Sequence, residues 1–303
     1  PALVGVLVLG AAEREHSMAE RAVTALREGL RELGWVEGQN LVIEVRNANG
    51  QRARLAPLAG ELAALPVDVI VALGTAATRA ARSATDRLPI VMAGVGDPLG
   101  AGFVKSLARP GGTVTGLSLQ NVEAAPKRLQ LLKEVAPAAA RIMVISAPRE
   151  PGNEAGFREM EAAAARLGVV VRQTVVASVG DLDAVFTWPG GGRTDAVVVQ
   201  PSPTTEGLRG RIANLALRHR VPTVGAFREY ADAGILMSYA ANLLAAHRRA
   251  AVYVDKLLKG AKPGDLPIEQ SLTFELVLNM KTAKALGLKI PQSVLARADE
   301  IIE

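Results

Sequence analysis

Short apolar runs alternate with amphipathic segments along most of the chain. Residues 3–9 form a β-branched and leucine-rich run of the kind that is buried on both faces in a parallel sheet. The next segment, residues 17–33, carries apolar side chains at intervals of three and four, which predicts an amphipathic helix that ends at Gly34. The chain therefore begins as a strand followed by a helix.

The remaining elements are predicted in the same way, from periodicity and from Gly and Pro stops. The alternation of the two kinds of element indicates α/β architecture. Further strands are predicted over residues 41–45, 67–73, 90–93, 113–116, 141–146, 169–176, 195–200, 221–224 and 235–239, and an extended stretch over 266–278. Further helices are predicted over residues 55–65, 76–84, 98–107, 127–135, 154–167, 181–186, 204–219, 241–258, 281–286 and 294–302.

The two halves of the chain repeat the same order of elements. Leu33-Gly34 precedes two apolar runs that begin near Asp68 and Leu88, and Leu167-Gly168 precedes two similar runs. Two doubly wound α/β lobes, each with a parallel, Rossmann-like sheet, are therefore predicted. Their predicted extents are residues 1–118 plus 241–270 for the first lobe, and residues 119–240 plus 271–303 for the second.

The C-terminal elements are too few for a third lobe, so we expect the chain to cross repeatedly between the two. The crossings are expected near Ser118, Tyr239 and Gln270-Ser271 and would act as a hinge. Ligands of such sheets bind beyond the carboxyl ends of the strands. One ligand cleft between the lobes is therefore expected.

Residues 90–118 contain the most specific local signals. Gly94 and Gly96 allow a turn after the predicted strand, Asp97 can cap a helix, and Pro98 suits a first helical turn. Asp97 could instead serve as a catalytic carboxylate, although its place directly before a proline favours capping. The segment predicts a ligand-facing edge of the sheet.

Several segments of the chain resemble one family. They read DPLGAGFV at 97–104, RPGGTVTG at 109–116, GLRELGWVEGQN at 29–40, KRL at 127–129 and NMKTAKALGL at 279–288. Together they resemble the substrate-binding proteins of ABC importers, in the branch related to tryptophan- and tyrosine-binding lipoproteins. The resemblance implies a type I periplasmic binding protein fold with a multi-crossing hinge, an aromatic amino acid or related carboxylate as ligand, and a membrane permease as partner.

Charge and composition exclude several classes of protein. The net charge of +5 arises from 35 basic and 30 acidic side chains without a run of five like charges, so no nucleic-acid partner is expected. Cysteine is absent, which excludes disulfides, thiolate metal sites and cysteine nucleophiles. The three histidines, His16, His219 and His247, lie far apart beside charged residues and are expected to be solvated, so no metal site is predicted.

Motifs for cofactors and hydrolysis are also missing. Gly94-Val95-Gly96 begins a Gly-x-Gly pattern but has Leu99 where a dinucleotide fingerprint needs its third glycine, and there is no P-loop. Neither a G-x-S-x-G elbow nor an H-E-x-x-H motif occurs. We therefore expect no cofactor and no catalysis.

The sequence predicts that this chain does not itself enter the bilayer. No run approaches the ~20 apolar residues that a spanning helix needs. The first residues read as a strand and lack a positive n-region, so any signal peptide or lipid anchor is expected to be absent from this chain. The family resemblance implies a periplasmic or otherwise extracytoplasmic location.

Candidate ligand residues stand at the predicted strand ends. Thr75, a potential N-cap, forms with Gly74 the best anion site because a helix start offers free N–H groups. Phe227 and Tyr230 are candidates to sandwich an apolar part of the ligand. The full set is Ala11, Ala12, Ser17, Gly74, Thr75, Gly94, Val95, Asp97 and Ser118 in the first lobe, and Ser146, Arg149, Glu150, Gln200, Ser202, Phe227, Tyr230 and Tyr239 in the second.

The leading hypothesis is a non-enzymatic solute-binding component of an ABC importer whose two lobes close on a small organic ligand. The alternative is a bilobal ligand-sensing domain in regulation or signalling, and an enzyme is the third reading. A DNA-binding helix-turn-helix before the first strand would favour a repressor, and Pro1-Ala2 leaves no room for one in this chain.

Overall fold

Thirteen strands and eleven α-helices alternate along the described part of the chain. The computed structural model describes residues 1–10, 18–270 and 274–303. The strands are β1 Ala2–Val8, β2 Leu41–Asn47, β3 Val69–Leu73, β4 Ile90–Val95, β5 Val114–Ser118, β6 Arg141–Ser146, β7 Val170–Val175, β8 Ala196–Val199, β9 Thr223–Gly225, β10 Met237–Ala241, β11 Glu269–Gln270, β12 Phe274–Asn279 and β13 Glu300–Ile302. The helices are α1 Met18–Glu32, α2 Leu55–Ala64, α3 Thr75–Ala84, α4 Asn121–Val135, α5 Pro151–Leu167, α6 Pro203–Gly207, α7 Arg209–His219, α8 Arg228–Asp232, α9 Leu243–Leu258, α10 Met280–Leu286 and α11 Gln292–Leu295.

These elements form two units. Unit 1 comprises Pro1–Leu119 and Asn242–Leu272, and unit 2 comprises Gln120–Ala241 and Thr273–Glu303. Each unit contains one sheet, and the predicted α/β class with two parallel-sheet lobes is confirmed.

The sheet of unit 1 has the strand order β2-β1-β3-β4-β5-β11, and all its paired strands are parallel. Its central strand β3 is buried along its whole length because helices cover both faces. Val69, Val71 and Leu73 pack with α1 and α9, whereas Ile70 and Ala72 pack with α2 and α3. The near-continuous apolar run in this strand is what a doubly covered parallel strand requires.

The sheet of unit 2 repeats this arrangement, with the order β7-β6-β8-β9-β10 for its first five strands. Strand β12 pairs antiparallel with β10, and β13 then pairs parallel with β12. Ile142 and Val144 pack with α4 and α5 on one face, and Met143 and Ile145 pack with α7 on the other.

The helix predicted over residues 98–107 is wrong. The Asp97 carboxylate accepts a hydrogen bond from Gly100 N–H at 2.7 Å, as a helix cap would, but only single turns follow. Gly102 adopts a left-handed conformation with φ 70°, which ends the turn, and Phe103 behind it is buried in the core of unit 1. Two glycines in the first turn make a helix costly here, so core packing decides the local structure.

Two other helix predictions, both in unit 2, are corrected. The predicted helix over 204–219 divides at Leu208 into α6 and α7, beside the glycines Gly207 and Gly210. The predicted closing helix over 294–302 ends at Leu295, and Glu300–Ile302 instead extends the sheet beside β12. Pairing with an existing strand satisfies the backbone there, which a local apolar pattern cannot reveal.

Gly116 is a position where the fold requires glycine. Its φ is 127°, and a Cβ built on it would overlap the carbonyl oxygen of Met92 in the neighbouring strand β4. We predict that Gly116→Ala lowers the free energy of unfolding by about 3 kcal/mol, because strain and a backbone clash act together.

The matched control for this variant is Gly112→Ala, since a Cβ there meets no atom within 4 Å and φ is ordinary. It should change the free energy of unfolding by no more than about 0.5 kcal/mol. Urea unfolding of both variants checks the prediction, and equal stabilities would contradict it.

Candidate functional site

The strand order of unit 1 places its candidate site at the carboxyl ends of β1, β3 and β4. In an open sheet with the order 2-1-3-4-5, the crevice lies where the order reverses, between β1 and β3. The predicted residues Ala11, Ala12 and Ser17 follow β1 and lie outside the described residues. The described part of this edge is therefore formed by the segments after β3 and β4.

The segment after β3 turns directly into α3. Gly74 has φ 89° and is the N-cap residue, so Thr75 is the first residue of the helix and the expectation that Thr75 is the N-cap is wrong. Gly74 N–H donates to Ala93 O at 2.7 Å, and Gly74 O accepts from Thr78 N–H at 3.0 Å. Among the described residues, no hydrogen-bond partner is found for the Thr75 hydroxyl or for the N–H groups of Thr75 and Ala76. These donors stand at the positive end of a three-turn helix, where an anion is stabilised.

The segment at the end of β4 brings a histidine to the same place. Gly94 has φ 78°, and a Cβ built on it would lie 3.3 Å from His247 Nε2 and 3.7 Å from Gly74 N. His247 lies in α9 and is only 4% exposed, so the expectation of a solvated histidine is wrong for it. Of the other two histidines, His219 is exposed and stacks on Phe186 at 4.8 Å, whereas His16 lies outside the described residues.

Three other predicted residues of unit 1 have internal roles. Val95 and Ser118 are buried and pair in register between β4 and β5. The Asp97 carboxylate holds the turn at Gly100. The candidate site of unit 1 thus reduces to Gly74, Thr75 and Gly94, with His247 added by the structure.

In unit 2 the predicted polar residues after β6 and β8 bond mainly to one another. Ser146 Oγ accepts from Gln200 Nε2 at 2.8 Å and from Gln173 Nε2 at 2.7 Å, and Gln200 Nε2 also donates to Asn153 O at 2.7 Å. Ser146 and Gln200 are each 1% exposed. Their side chains tie three strand ends together, and the structure leaves them no surface for a ligand.

The aromatic sandwich expected in unit 2 is not formed. Tyr230 is wholly buried in a core cluster, and its hydroxyl lies 2.9 Å from Thr205 Oγ1, so its ring has no free face. This burial raises the pKa of Tyr230. Phe227 packs against the same cluster, and Ser202 caps α6 by accepting from Thr205 N–H at 3.0 Å. Tyr230 and Ser202 therefore act as structural residues.

Besides the partly exposed Phe227, three predicted residues of unit 2 keep accessible surface. Arg149 is exposed and holds a left-handed φ of 59°, and Glu150 stands at the start of α5. Tyr239 is partly exposed and stacks on Phe274, with ring centroids 5.5 Å apart. These three remain candidates for ligand contact.

Two buried basic residues were not predicted as functional residues. Arg128 is wholly buried in α4 and donates to Tyr239 O at 3.1 Å and to Asn121 O at 3.0 Å, whereas its Nε has no partner among the described residues. Burial lowers the pKa of Arg128 to about 10. The two acceptors lie within three residues of the two ends of the segment Gln120–Ala241 of unit 2. Arg128 therefore links these two ends.

The sequence does contain a signal for both residues. His247 falls on the apolar stripe of α9 with Ala250, Val254 and Leu257, at spacings of three and four. Arg128 falls in the same way on the buried stripe of α4. A polar residue on an apolar stripe indicates burial, and this pattern could have identified them.

The described residues contain no group of three or more His, Cys, Asp or Glu side chains that could hold a metal ion. Within the same ranges, no helix has the length and apolar character needed to span a bilayer. The described donors at this edge of unit 1, the N–H groups of Thr75 and Ala76 and the Thr75 hydroxyl, are neutral groups.

The chain is similar to proteins of one transport family. Residues 9–302 match the family model described as ABC transporter substrate binding protein. A tyrosine-binding protein of Clostridioides difficile is 26% identical over 286 residues, covering 91% of this chain and 79% of that protein.

Two solved structures cover 99% of this chain and are themselves covered to 99%. One is the ABC domain in complex with L-Trp from Streptococcus pneumoniae, with 28% identity and a TM-score of 0.90. The other is a conserved domain protein from Vibrio cholerae, with 27% identity and a TM-score of 0.88. The family resemblance read from the sequence is confirmed.

The burial of His247 leads to a prediction about how the stability of the folded protein depends on pH. Burial lowers the pKa of His247 from its ordinary 6.5 to about 4, so the unfolded chain binds a proton in this range that the folded protein does not. Stability should fall as the pH drops from 6.5 towards 4, by about 3 kcal/mol in total.

Glu206 acts in the opposite direction, because burial raises the pKa of its carboxyl to about 6 and the folded protein gains from protonation there. The comparison is therefore between the wild-type protein and His247→Gln, which keeps Glu206. From pH 7 to pH 4.5 the melting temperature of the wild-type protein should change in the destabilising direction relative to that of the variant, whose melting temperature falls less or rises because only Glu206 contributes. An identical loss in both proteins would contradict the assignment.

Proposed function

The chain belongs to the ABC transporter substrate-binding proteins, and from that premise we propose that it binds an aromatic amino acid or a related carboxylate and delivers it to a membrane permease. The names of two relatives support this ligand class, since one is a tyrosine-binding protein and another was solved with L-Trp. Both are similar to this chain along more than nine tenths of its length.

The observation that carries the proposal is the free N-terminus of α3 in unit 1. Thr75 and Ala76 present N–H groups without partners among the described residues, beside a Thr75 hydroxyl that is also free. Donors of this kind bind a carboxylate without a cation, since the helix dipole adds a positive potential. Every α-amino acid supplies such a carboxylate.

We assign contacts with the rest of the ligand to residues that keep accessible surface. Tyr239 can offer an aromatic edge to an aromatic ligand, and Arg149 and Glu150 are the charged groups near the strand ends of unit 2. Gly94 carries no side chain that would crowd His247 Nε2. The expected position of the ligand, in a cleft between the lobes, stays a prediction from the sequence.

Family membership favours transport over the signalling alternative, and the family is one of transport proteins and not of enzymes. We infer that the protein releases its ligand unchanged. Incubation of L-tryptophan with the purified protein, followed by mass spectrometry, tests this, and a protein-dependent product would contradict it.

Substrate-binding proteins of ABC transporters are extracytoplasmic. We infer a periplasmic location and capture of the ligand before it reaches the permease. Co-purification with a permease, or ligand-dependent stimulation of its ATPase, would support that partner.

Thr75 provides the direct mutational test of the anion site. Thr75→Ala should weaken binding of L-tryptophan by ~1.5–3 kcal/mol, because one hydrogen bond to a charged group is lost. The melting temperature of the free protein should stay unchanged, since the hydroxyl has no partner among the described residues and Thr75 is not the cap. Calorimetric titration and thermal melting of the same sample measure both quantities.

The matched control is Ser83→Ala near the other end of α3, where the exposed hydroxyl donates to Arg79 O at 3.0 Å. It should leave affinity unchanged. If Thr75→Ala binds as tightly as the control, the carboxylate is held elsewhere.

A further inference from the structure

His247 is a buried polar side chain without any hydrogen bond. Its Nδ1 is enclosed and unpartnered, and neither ring nitrogen has a partner among the described residues. Leaving a buried polar atom unpaired costs ~1–3 kcal/mol, so such a group in a native core calls for an explanation. Its neighbours in α9, Arg248 and Arg249, do not supply one, because they point away to Glu32 and Glu269.

The two ring nitrogens lie in different surroundings. Nδ1 is fully enclosed, whereas Nε2 is not enclosed in this way and lies 3.3 Å from the point that a Cβ on Gly94 would occupy. A side chain at position 94 would therefore crowd Nε2 and also Leu243 Cδ1, which lies 3.3 Å from the same point, and glycine avoids this. The same point is 3.7 Å from Gly74 N, at the start of α3.

The polar groups near this point can act as hydrogen-bond donors. Burial lowers the pKa of His247 to about 4, and no acidic group among the described residues offsets this effect, so the imidazole is neutral at pH 7. With the proton on Nε2, the enclosed Nδ1 is a bare acceptor, and the Nε2–H is a donor beside Gly94, whose Cβ position is also 3.7 Å from Gly74 N at the start of α3. A carboxylate has two oxygens, which can accept from two separate donors at once.

We propose that His247 is a ligand-contacting residue, whose Nε2–H donates to the same anionic group that binds at the N-terminus of α3. This inference rests on the proposed function, that the ligand is a carboxylate, and adds a residue from a distant part of the chain. It gives the Nε2–H the acceptor that it lacks among the described residues, whereas the enclosed Nδ1 stays unpaired. It also explains a second feature of Gly94 besides its left-handed backbone conformation, namely that no side chain crowds His247 Nε2.

The experiment titrates L-tryptophan into the full chain by calorimetry, for the wild-type protein, His247→Leu, His247→Gln and the control His219→Gln. His247→Leu should bind about 10- to 100-fold more weakly, the loss expected for a hydrogen bond to a charged group. His247→Gln should recover part of this loss, because its amide N–H can occupy a position close to that of Nε2. His219→Gln should bind like the wild-type protein, since His219 is exposed and stacks only on Phe186.

The melting temperature of the free His247→Leu variant separates ligand contact from packing. Removing an unpaired buried polar group should leave it unchanged or raise it. Wild-type affinity in His247→Leu, or a loss of affinity that only follows a loss of folding, would overturn the inference and leave the proposed function intact. If the wild-type protein binds neither L-tryptophan nor any other small carboxylate, the proposed function fails and the inference fails with it.

An NMR readout covers the case in which His247→Leu does not fold. In the wild-type protein with ¹⁵N-labelled histidine, the Nε2 resonance of His247, assigned with His247→Gln, should shift on addition of L-tryptophan. An unmoved resonance at saturation would also overturn the inference.

Discussion

Parallel pairing of the strands is the constraint on which the rest of each unit depends. A parallel strand cannot be joined to its neighbour by a tight turn, so a helix must cross over between them and cover a face of the sheet. Helices on both faces bury the central strand completely, as β3 and β8 show. The carboxyl ends of the strands then meet at one edge, where each is followed by a loop or a helix N-terminus.

The two units differ in how the polar groups at their strand ends are hydrogen-bonded. In unit 2, Ser146, Gln200 and Asn153 bond to one another across neighbouring strand ends and close that edge. In unit 1 the N–H groups of Thr75 and Ala76 and the Thr75 hydroxyl, at the corresponding edge, have no partner among the described residues. An edge with unused donors is suited to bind an acceptor, and this difference favours unit 1 as the place where an anion is held.

Sequence reasoning succeeded where the signal is local and periodic. The apolar runs and their stops placed β3, β6 and α9 within two residues of the observed bounds. The repeat predicted two parallel-sheet lobes, and the matching segments predicted a family of ABC importer binding proteins; both are confirmed. The choice of the strand ends as the binding edge rests on parallel topology alone and stays a prediction.

The wrong predictions share one physical cause. Tertiary contacts determined the structure at positions where the local sequence was compatible with more than one conformation or environment. Asp97-Pro98 has the chemistry of a helix start, but burial of Phe103 redirects the chain. Tyr230 was assigned to a ligand because it follows a strand end, although its ring fills the core between β9 and α7. His247 was assigned to solvent because of its charged neighbours, although its position on the apolar stripe of α9 indicated burial.

The central claim is that a ligand carboxylate binds at the N-terminus of α3, and the ligand itself offers the most direct test of it. Calorimetric titration should compare L-tryptophan with L-tryptophanamide, which keeps the ring and the amine but lacks the carboxylate. The account predicts saturable 1:1 binding of L-tryptophan and binding of the amide that is at least about 10-fold weaker, since hydrogen bonds to a charged group are lost. Equal affinity for the two compounds would contradict it.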